Sequence, residues 1–410
     1  VKTFLILGAG TAGTMMANKL ARRLEPEEWK IIIVDREPTH FYQPGFLFLP
    51  FGYYKKEDVT KTKKQFITNK VEFIISDIER IEPDNRKVFL TSDNRVIDFD
   101  YLVVATGTGL HPEETPGLTE TGWRKNIFDF YTLEGALALH DFLQRWDGGR
   151  MVVHVTEMPI KCPVAPLEFS FLADYYLRQR GIRNKVDLVL ATPLPGAFTK
   201  PKASATLGSL LEKKGITVVP DFNIMEVDNS KQVIRGYDER EVPYDLLVTI
   251  PLNMGATIIA DAGMGDDLNY VPVDKYTLQS KKWENIWVIG DANNIPASKA
   301  GSVSHFQMDG VIQNILHHMQ GKELEDKFDG HANCYIESGF NKAFLIDFNY
   351  DVEPLEGTYP IPGIGPFSLL KETRINHLGK LFFRWMYWNL LLPGRKIPMP
   401  DKFSMVGKKQ

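Results

Sequence analysis

Phe4-Leu5-Ile6-Leu7-Gly8-Ala9-Gly10-Thr11-Ala12-Gly13 decides the fold of this chain. Four apolar residues in a row read as a strand buried on both faces. The glycines that follow let the backbone turn sharply and approach a ligand closely. From Thr14 to Leu24 the pattern becomes helical, with Met15, Met16, Leu20 and Leu24 on roughly one face. Ile31-Ile32-Ile33-Val34-Asp35 is the next strand and ends in an acid. Strand, Gly-x-Gly-x-x-Gly turn, helix and terminal acid together form a dinucleotide fingerprint. Phosphate oxygens sit on the N-terminus of such a helix. Gly8, Gly10, Thr11, Ala12 and Gly13 are thus candidate cofactor contacts. Asp35, with Arg36 beside it, is the candidate partner of a ribose hydroxyl.

Two later stretches say which nucleotide. Asp100-Tyr101-Leu102-Val103-Val104-Ala105-Thr106-Gly107 is a strand running into a turn of small residues. Asn285-Ile286-Trp287-Val288-Ile289-Gly290-Asp291 is a strand ending in Gly-Asp, ahead of a helix read over residues 303–319. Both look like the later FAD motifs of the two-dinucleotide-binding-domain flavoproteins. That likeness makes FAD the expected cofactor. It adds Ala105, Thr106, Gly107, Gly290 and Asp291 to the site, and directs the N-terminus of the following helix toward the flavin.

The middle of the chain repeats the βαβ logic. Strands are read over 151–155, 187–191 and 216–219, with helices over 167–179 and 204–214. Pro243 to Pro251 echoes the strand before Thr106. The expected fold is α/β, with two Rossmann-like domains, the second inserted in the first. Expected boundaries are 1–110 and 251–330 for the FAD-binding domain, 111–250 for the inserted one, and 331–410 for a C-terminal region. The second half departs from a nucleotide site in one respect. After Val155 comes Thr156-Glu157-Met158-Pro159-Ile160-Lys161-Cys162-Pro163-Val164-Ala165-Pro166, with no glycine. The backbone cannot approach a pyrophosphate closely there. A thiol stands where a nicotinamide would lie, which points to sulfur chemistry.

Cys162 and Cys334 are the two cysteines of 410 residues. Two cysteines make no disulfide framework. Close to a flavin they can cycle between disulfide and dithiol. Cys162 precedes a helix, so a dipole-favoured thiolate is expected. Cys334 is read as lying in a polar turn that enters a strand. No metal-ligand set is read.

Composition bounds the rest. The net charge of −4 gives no nucleic-acid signal. Residues 371–410 hold nine Lys/Arg against two Asp/Glu, a local +7 on an otherwise acidic chain. No apolar run reaches the ~20 residues that a spanning helix needs. No secretory leader is read before the first strand, and Val1 in place of Met leaves prior processing open. Residues 377–393 are dense in Trp, Tyr and Phe among Lys380, Arg384, Arg395 and Lys396. Such a helix suits the headgroup level of an anionic membrane, giving a peripheral, monotopic attachment to a face left open, the alternative being a domain-closing helix packed on the core or on a second subunit. Both cysteines and all the FAD motifs lie upstream, so deletion after Thr373 is expected to spare flavin binding.

With these residues in view, the chain resembles the sulfide:quinone oxidoreductases over nearly its full length. The resemblance rests on Gly8–Gly13, Lys161-Cys162-Pro163 ahead of Ala165-Pro166-Leu167-Glu168, Gly290-Asp291, Lys299-Ala300-Gly301, Cys334 and the aromatic-basic C-terminus. It implies oxidation of sulfide by a Cys162/Cys334 redox pair, with electrons passed through FAD to membrane quinone. It implies a proton-carrying role for Glu168, and for Lys299 stabilisation of the anionic reduced flavin. Phe344, Phe348, Phe382 and Phe383 are candidates to hold a quinone ring, with ordinary core packing the alternative for each. Residues 107–161 contain no cysteine, so the covalent FAD attachment of some members is not expected. Three alternatives stay open. They are a flavoprotein subunit of a haem-coupled sulfide dehydrogenase, a type II NADH:quinone oxidoreductase, and a non-enzymatic flavoprotein. A homo-oligomer is also left open.

Overall fold

The structure is a computed structural model that describes residues 1–397 and 401–409. Its first sheet is parallel and five-stranded, in the order 286–288, 101–104, 2–7, 29–35, 71–75. Lys2–Leu7 is central, and Phe4, Leu5, Ile6 and Leu7 are fully buried. Its buried part, Phe4 to Leu7, is accordingly a continuous apolar run. From it the chain goes out to Trp29–Asp35 on one side and returns to Tyr101–Val104 on the other. That reversal opens a crevice at the strands' carboxyl ends, the usual ligand position in such sheets. The helices Thr11–Leu20 and Gly301–Met319 pack on each other over this sheet.

The second sheet, also parallel, runs 127–128, 246–250, 149–155, 186–191, 216–219. All its strands come from residues between 127 and 250, so one sheet interrupts the other in sequence. The α/β architecture with two Rossmann-like units is as the motifs imply. Helices begin slightly earlier than periodicity suggests, at Ala165, Pro201 and Gly301.

The C-terminal region holds a third sheet that the sequence did not reveal. Its order is 332–339, 342–348, 365–369, 356–361, 408–409. Ala332–Gly339 and Lys342–Phe348 form a hairpin closed by Phe340 and Asn341, both at φ +54°. Two left-handed residues match the twist of the flanking strands. Cys334 is therefore inside an edge strand, opposite Ile346, and not in a turn. The helix Arg374–Met386 follows, with the Thr373 hydroxyl accepting from the Asn376 amide at 3.1 Å.

After Met386 the helix widens into a π turn over Tyr387–Leu391. A wider turn rotates the side chains that follow. Before it, Ile375, Leu378, Phe382 and Trp385 point into solvent. After it, Tyr387, Trp388, Leu391 and Leu392 are buried. The aromatic segment is thus two devices, an exposed apolar face and a strap across the body. The strap packs on His40, Tyr42 and Phe66. Asn18 donates to the Leu392 carbonyl at 2.8 Å, and Arg22 to the Pro393 carbonyl at 2.6 Å.

Candidate active site

The glycine loop has the shape its sequence demands. A Cβ at Gly8 would meet the Ala105 carbonyl oxygen at 2.3 Å, and one at Gly13 the Gly8 carbonyl oxygen at 1.8 Å. Those two glycines hold strand, loop and helix together. Gly10 faces open space, as do Gly107 and Gly301. Gly10 caps the Thr11–Leu20 helix with no side chain on the free amides, so they point into the crevice. The Gly301–Met319 helix likewise begins without a side-chain cap or an acidic first turn. The Thr106 hydroxyl is buried with no hydrogen-bond partner. Two open helix N-termini, three glycines facing space and an orphan hydroxyl make a cradle that fits a dinucleotide with an anionic middle.

Asp35 stands at the carboxyl end of the second strand, beside the glycine loop. Its carboxylate accepts from the Ala9 amide at 2.6 Å and the Glu37 amide at 2.9 Å. Lys63, a buried residue that the motif reading missed, pairs with it at 2.7 Å. Arg36 is exposed. At the Gly-Asp turn, a Cβ on Gly290 would lie 3.0 Å from that of Ala12, so the two motifs must both be small where they meet. The Gly290 amide donates to Gln307 at 2.8 Å. Burial raises the Asp291 carboxyl, with Lys299 and Lys161 opposing. Lys299 donates to the Asp291 and Asn293 carbonyls, each at 2.8 Å. Its ammonium, drawn down to about 8 by burial, thus ties the Gly-Asp turn together.

The thiols converge from distant elements. Cys162 donates its amide to the Lys299 carbonyl at 2.7 Å. Its own carbonyl accepts from the Tyr131 hydroxyl at 3.1 Å. Its φ is +50°, a strained conformation for a residue with a side chain. The loop thus holds Cys162 against the irregular segment leading into the Gly301–Met319 helix. Each cysteine is half-buried, is a free thiol, and lies within the electrostatic reach of Glu168 and Lys380. The expected helix-favoured thiolate is not what results. Burial pushes both thiols up, Cys334 to about 12, and the negative charge of Glu168 adds to it. The Cys162 side chain precedes the first turn of the Ala165–Gln179 helix, and desolvation outweighs the dipole.

Glu168 sits in that first turn and is buried. Its carboxylate accepts from the Glu337 amide at 2.8 Å and pairs with Lys380. Burial raises its carboxyl, and Lys380 works against that. Lys380, Glu337 and His377 were not recognised as parts of this site. The signal was present: His377, Lys380 and Arg384 recur at helical spacing on the face opposite Leu378, Phe382 and Trp385.

The four quinone candidates do not come together. Phe344 and Phe348 are buried on one face of their strand, with Ile336 and Ala332 as cross-strand neighbours. Phe382 stacks on Trp385 in solvent, at 5.3 Å between centroids. Phe383 alone is half-buried and one helical turn from Lys380. A cavity of about 270 Å³ lined by Arg150, Asp187 and Arg240 touches none of these residues, and its charges pair with one another or with near neighbours.

Residues 2–153 match the family model described as pyridine nucleotide-disulphide oxidoreductase. A sulfide:quinone oxidoreductase of Dictyostelium discoideum is 28% identical over 401 residues, covering 96% of this chain and 87% of that protein. A sulfide-quinone reductase of Aquifex aeolicus is 27% identical over 84% of this chain and 83% of that one. The crystal structure of an Aquifex aeolicus sulfide:quinone oxidoreductase superposes with a TM-score of 0.79 at 22% identity, over 96% of this chain and 92% of that one. A type II NADH:quinone oxidoreductase of Staphylococcus epidermidis matches at 31%, but over 26% of each chain. The likeness to the sulfide enzymes runs through both cysteines, whereas a match of 107 residues cannot span them. The chain is an FAD-dependent oxidoreductase, similar over nearly its whole length to sulfide:quinone oxidoreductases.

Proposed function

We infer that the protein oxidises sulfide at Cys162 and Cys334 and passes the electrons through FAD to a membrane quinone. The observation that carries this is the meeting of two thiols and a buried acid beside the Lys299–Gly301 entry to the cofactor cradle. In the oxidised enzyme the cysteines form a disulfide. Hydrosulfide attacks it: one S–S bond forms, another breaks, and a persulfide and a thiolate remain. A second hydrosulfide takes the persulfide sulfur away as H₂S₂ and leaves the second thiolate. Rejoining the two thiolates returns the disulfide and releases two electrons. The sum is two HS⁻ giving HSS⁻, one proton and two electrons. In this reading Glu168, buried and within electrostatic reach of both thiols, takes that proton. FAD, when bound, accepts electron pairs from thiols and gives them to a quinone.

The loop after Val155 argues against NADH as the donor, because it offers no glycine for a pyrophosphate. Quinone access is assigned to the side of Phe383 and the C-terminal helix. That helix attaches to the membrane through Ile375, Leu378, Phe382 and Trp385, with Lys371 and Arg374 exposed beside them. Among the described residues no helix is long and apolar enough to cross a membrane. The test is anaerobic titration of the FAD-loaded protein with sulfide, then with NADH, followed by a short-chain ubiquinone. Sulfide should bleach the flavin absorbance and the quinone restore it. Bleaching by NADH and not by sulfide would reject the reading.

A further inference from the structure

The base proposed for the thiols is surrounded by more charge than proton transfer alone requires. Glu168 is buried and pairs with Lys380 from the C-terminal helix. It also accepts the backbone amide of Glu337 at 2.8 Å. The Glu337 carboxylate is itself buried, and His377 of the same helix contacts both its oxygens, at 2.9 and 3.0 Å. Lys380 lies in the field of both carboxylates, and burial, which would lower it, is outweighed by them. The other titratable groups facing Glu168 are Cys162, Cys334, Tyr42 and Tyr131. Those facing Glu337 include Tyr53 and Tyr54. Arg384 is held away by Asp58 at 2.8 Å. Lys380 thus pairs with one buried acid and lies in the field of a second.

We propose that Lys380 and Glu337 are positioning residues that set the charge of Glu168 in opposite senses, Lys380 holding it ionised and Glu337 holding it ready to take a proton. The physical ground is the cost of an unpaired buried carboxylate. Without Lys380, Glu168 keeps its proton through the working range and cannot receive another. Without the Glu337 charge, Lys380 is left wholly to Glu168, which then stays ionised to lower pH. His377 fixes the Glu337 carboxylate from the helix that carries Lys380, so both partners of Glu168 depend on one surface element.

This rests on the reading of Glu168 as the base for the thiols, but its test reads Glu168 itself, whatever the substrate. The infrared carbonyl stretch of the protonated carboxyl, assigned by its loss in Glu168→Gln, is titrated in FAD-loaded protein. Lys380→Met should move the midpoint up by roughly one to three pH units, the range for a lost neighbouring charge. Glu337→Gln should move it down, and Lys380→Arg should leave it near wild type. FAD content and melting temperature certify that each variant is folded. Midpoints that stay together, or that move in the same direction in Lys380→Met and Glu337→Gln, would overturn the proposal. Failure of sulfide to bleach the flavin would leave these midpoints readable and strike only the base assignment.

Discussion

The Tyr387 hydroxyl lies 2.6 Å from that of Thr11, the first residue of the cofactor-loop helix, although 376 positions separate them. His40 meets the same hydroxyl through Nε2 at 2.6 Å, and burial draws its imidazole down to about 3, so the ring is neutral. The C-terminal strap thus braces the first residue of the helix that follows the glycine loop. Removing the chain after Thr373 should therefore lower FAD content and melting temperature together, contrary to what the motif order implies. Tyr387→Phe should cost about 1–3 kcal/mol by orphaning buried groups. Full FAD occupancy in the truncated protein would contradict this role.

The glycines of the loop should separate into two kinds. Gly13→Ala puts a methyl against the Gly8 carbonyl and should destabilise the apoprotein as well as abolish FAD binding. Gly10→Ala meets nothing in the protein, so the apoprotein should melt as wild type while FAD binds less tightly. Melting curves with and without added FAD distinguish them.

How much of this was legible beforehand follows the range of the interactions. The first loop, the Ala105–Gly107 turn and Gly290-Asp291 announce themselves because each is a local backbone requirement. Cys162 stood out because it occupies a position where glycine was due. Lys380 did not, because its partner Glu168 is 212 positions away and nothing local marks the contact. The third sheet was also hidden. Its strands include Pro360 and Pro366, and the last is two residues long, so no alternation survives to be read. Phe344 and Phe348 attracted attention as aromatics, but in a strand their spacing puts them on one buried face.

A buried ion pair fastens that last strand. Lys408 contacts Asp347 at 2.7 Å, and His331 contacts its other oxygen at 2.7 Å. Burial alone would raise the Asp347 carboxyl, but His331 and Lys408 bring it below the usual range. A depressed carboxyl stabilises above its unfolded pKa of about 3.9 and ceases to as pH falls through the folded value. Asp347→Asn should cost about 3–5 kcal/mol at pH 7, with the difference from wild type closing below about pH 4. Chemical denaturation of both proteins at several pH values checks the sign.

The exposed face of the C-terminal helix should be separable from the site behind it. Leu378→Glu with Trp385→Glu removes apolar surface in solvent and touches none of the charges around Glu168. Binding to vesicles of anionic lipid should be lost, while FAD content stays at the wild-type level. Sedimentation with vesicles measures the first and flavin absorbance the second. Unchanged vesicle binding would remove this helix from the membrane reading.

The central claim is that the two cysteines act as one acceptor for sulfide. Cys162→Ser and Cys334→Ser should each retain FAD, because neither side chain supports the cradle. The direct measurement is the anaerobic rate of flavin bleaching by sulfide in wild type and in each variant. A thiol pair that cycles as a unit cannot work with one member, so both rates should fall by a similar and large factor. A rate near wild type in either variant would contradict the account.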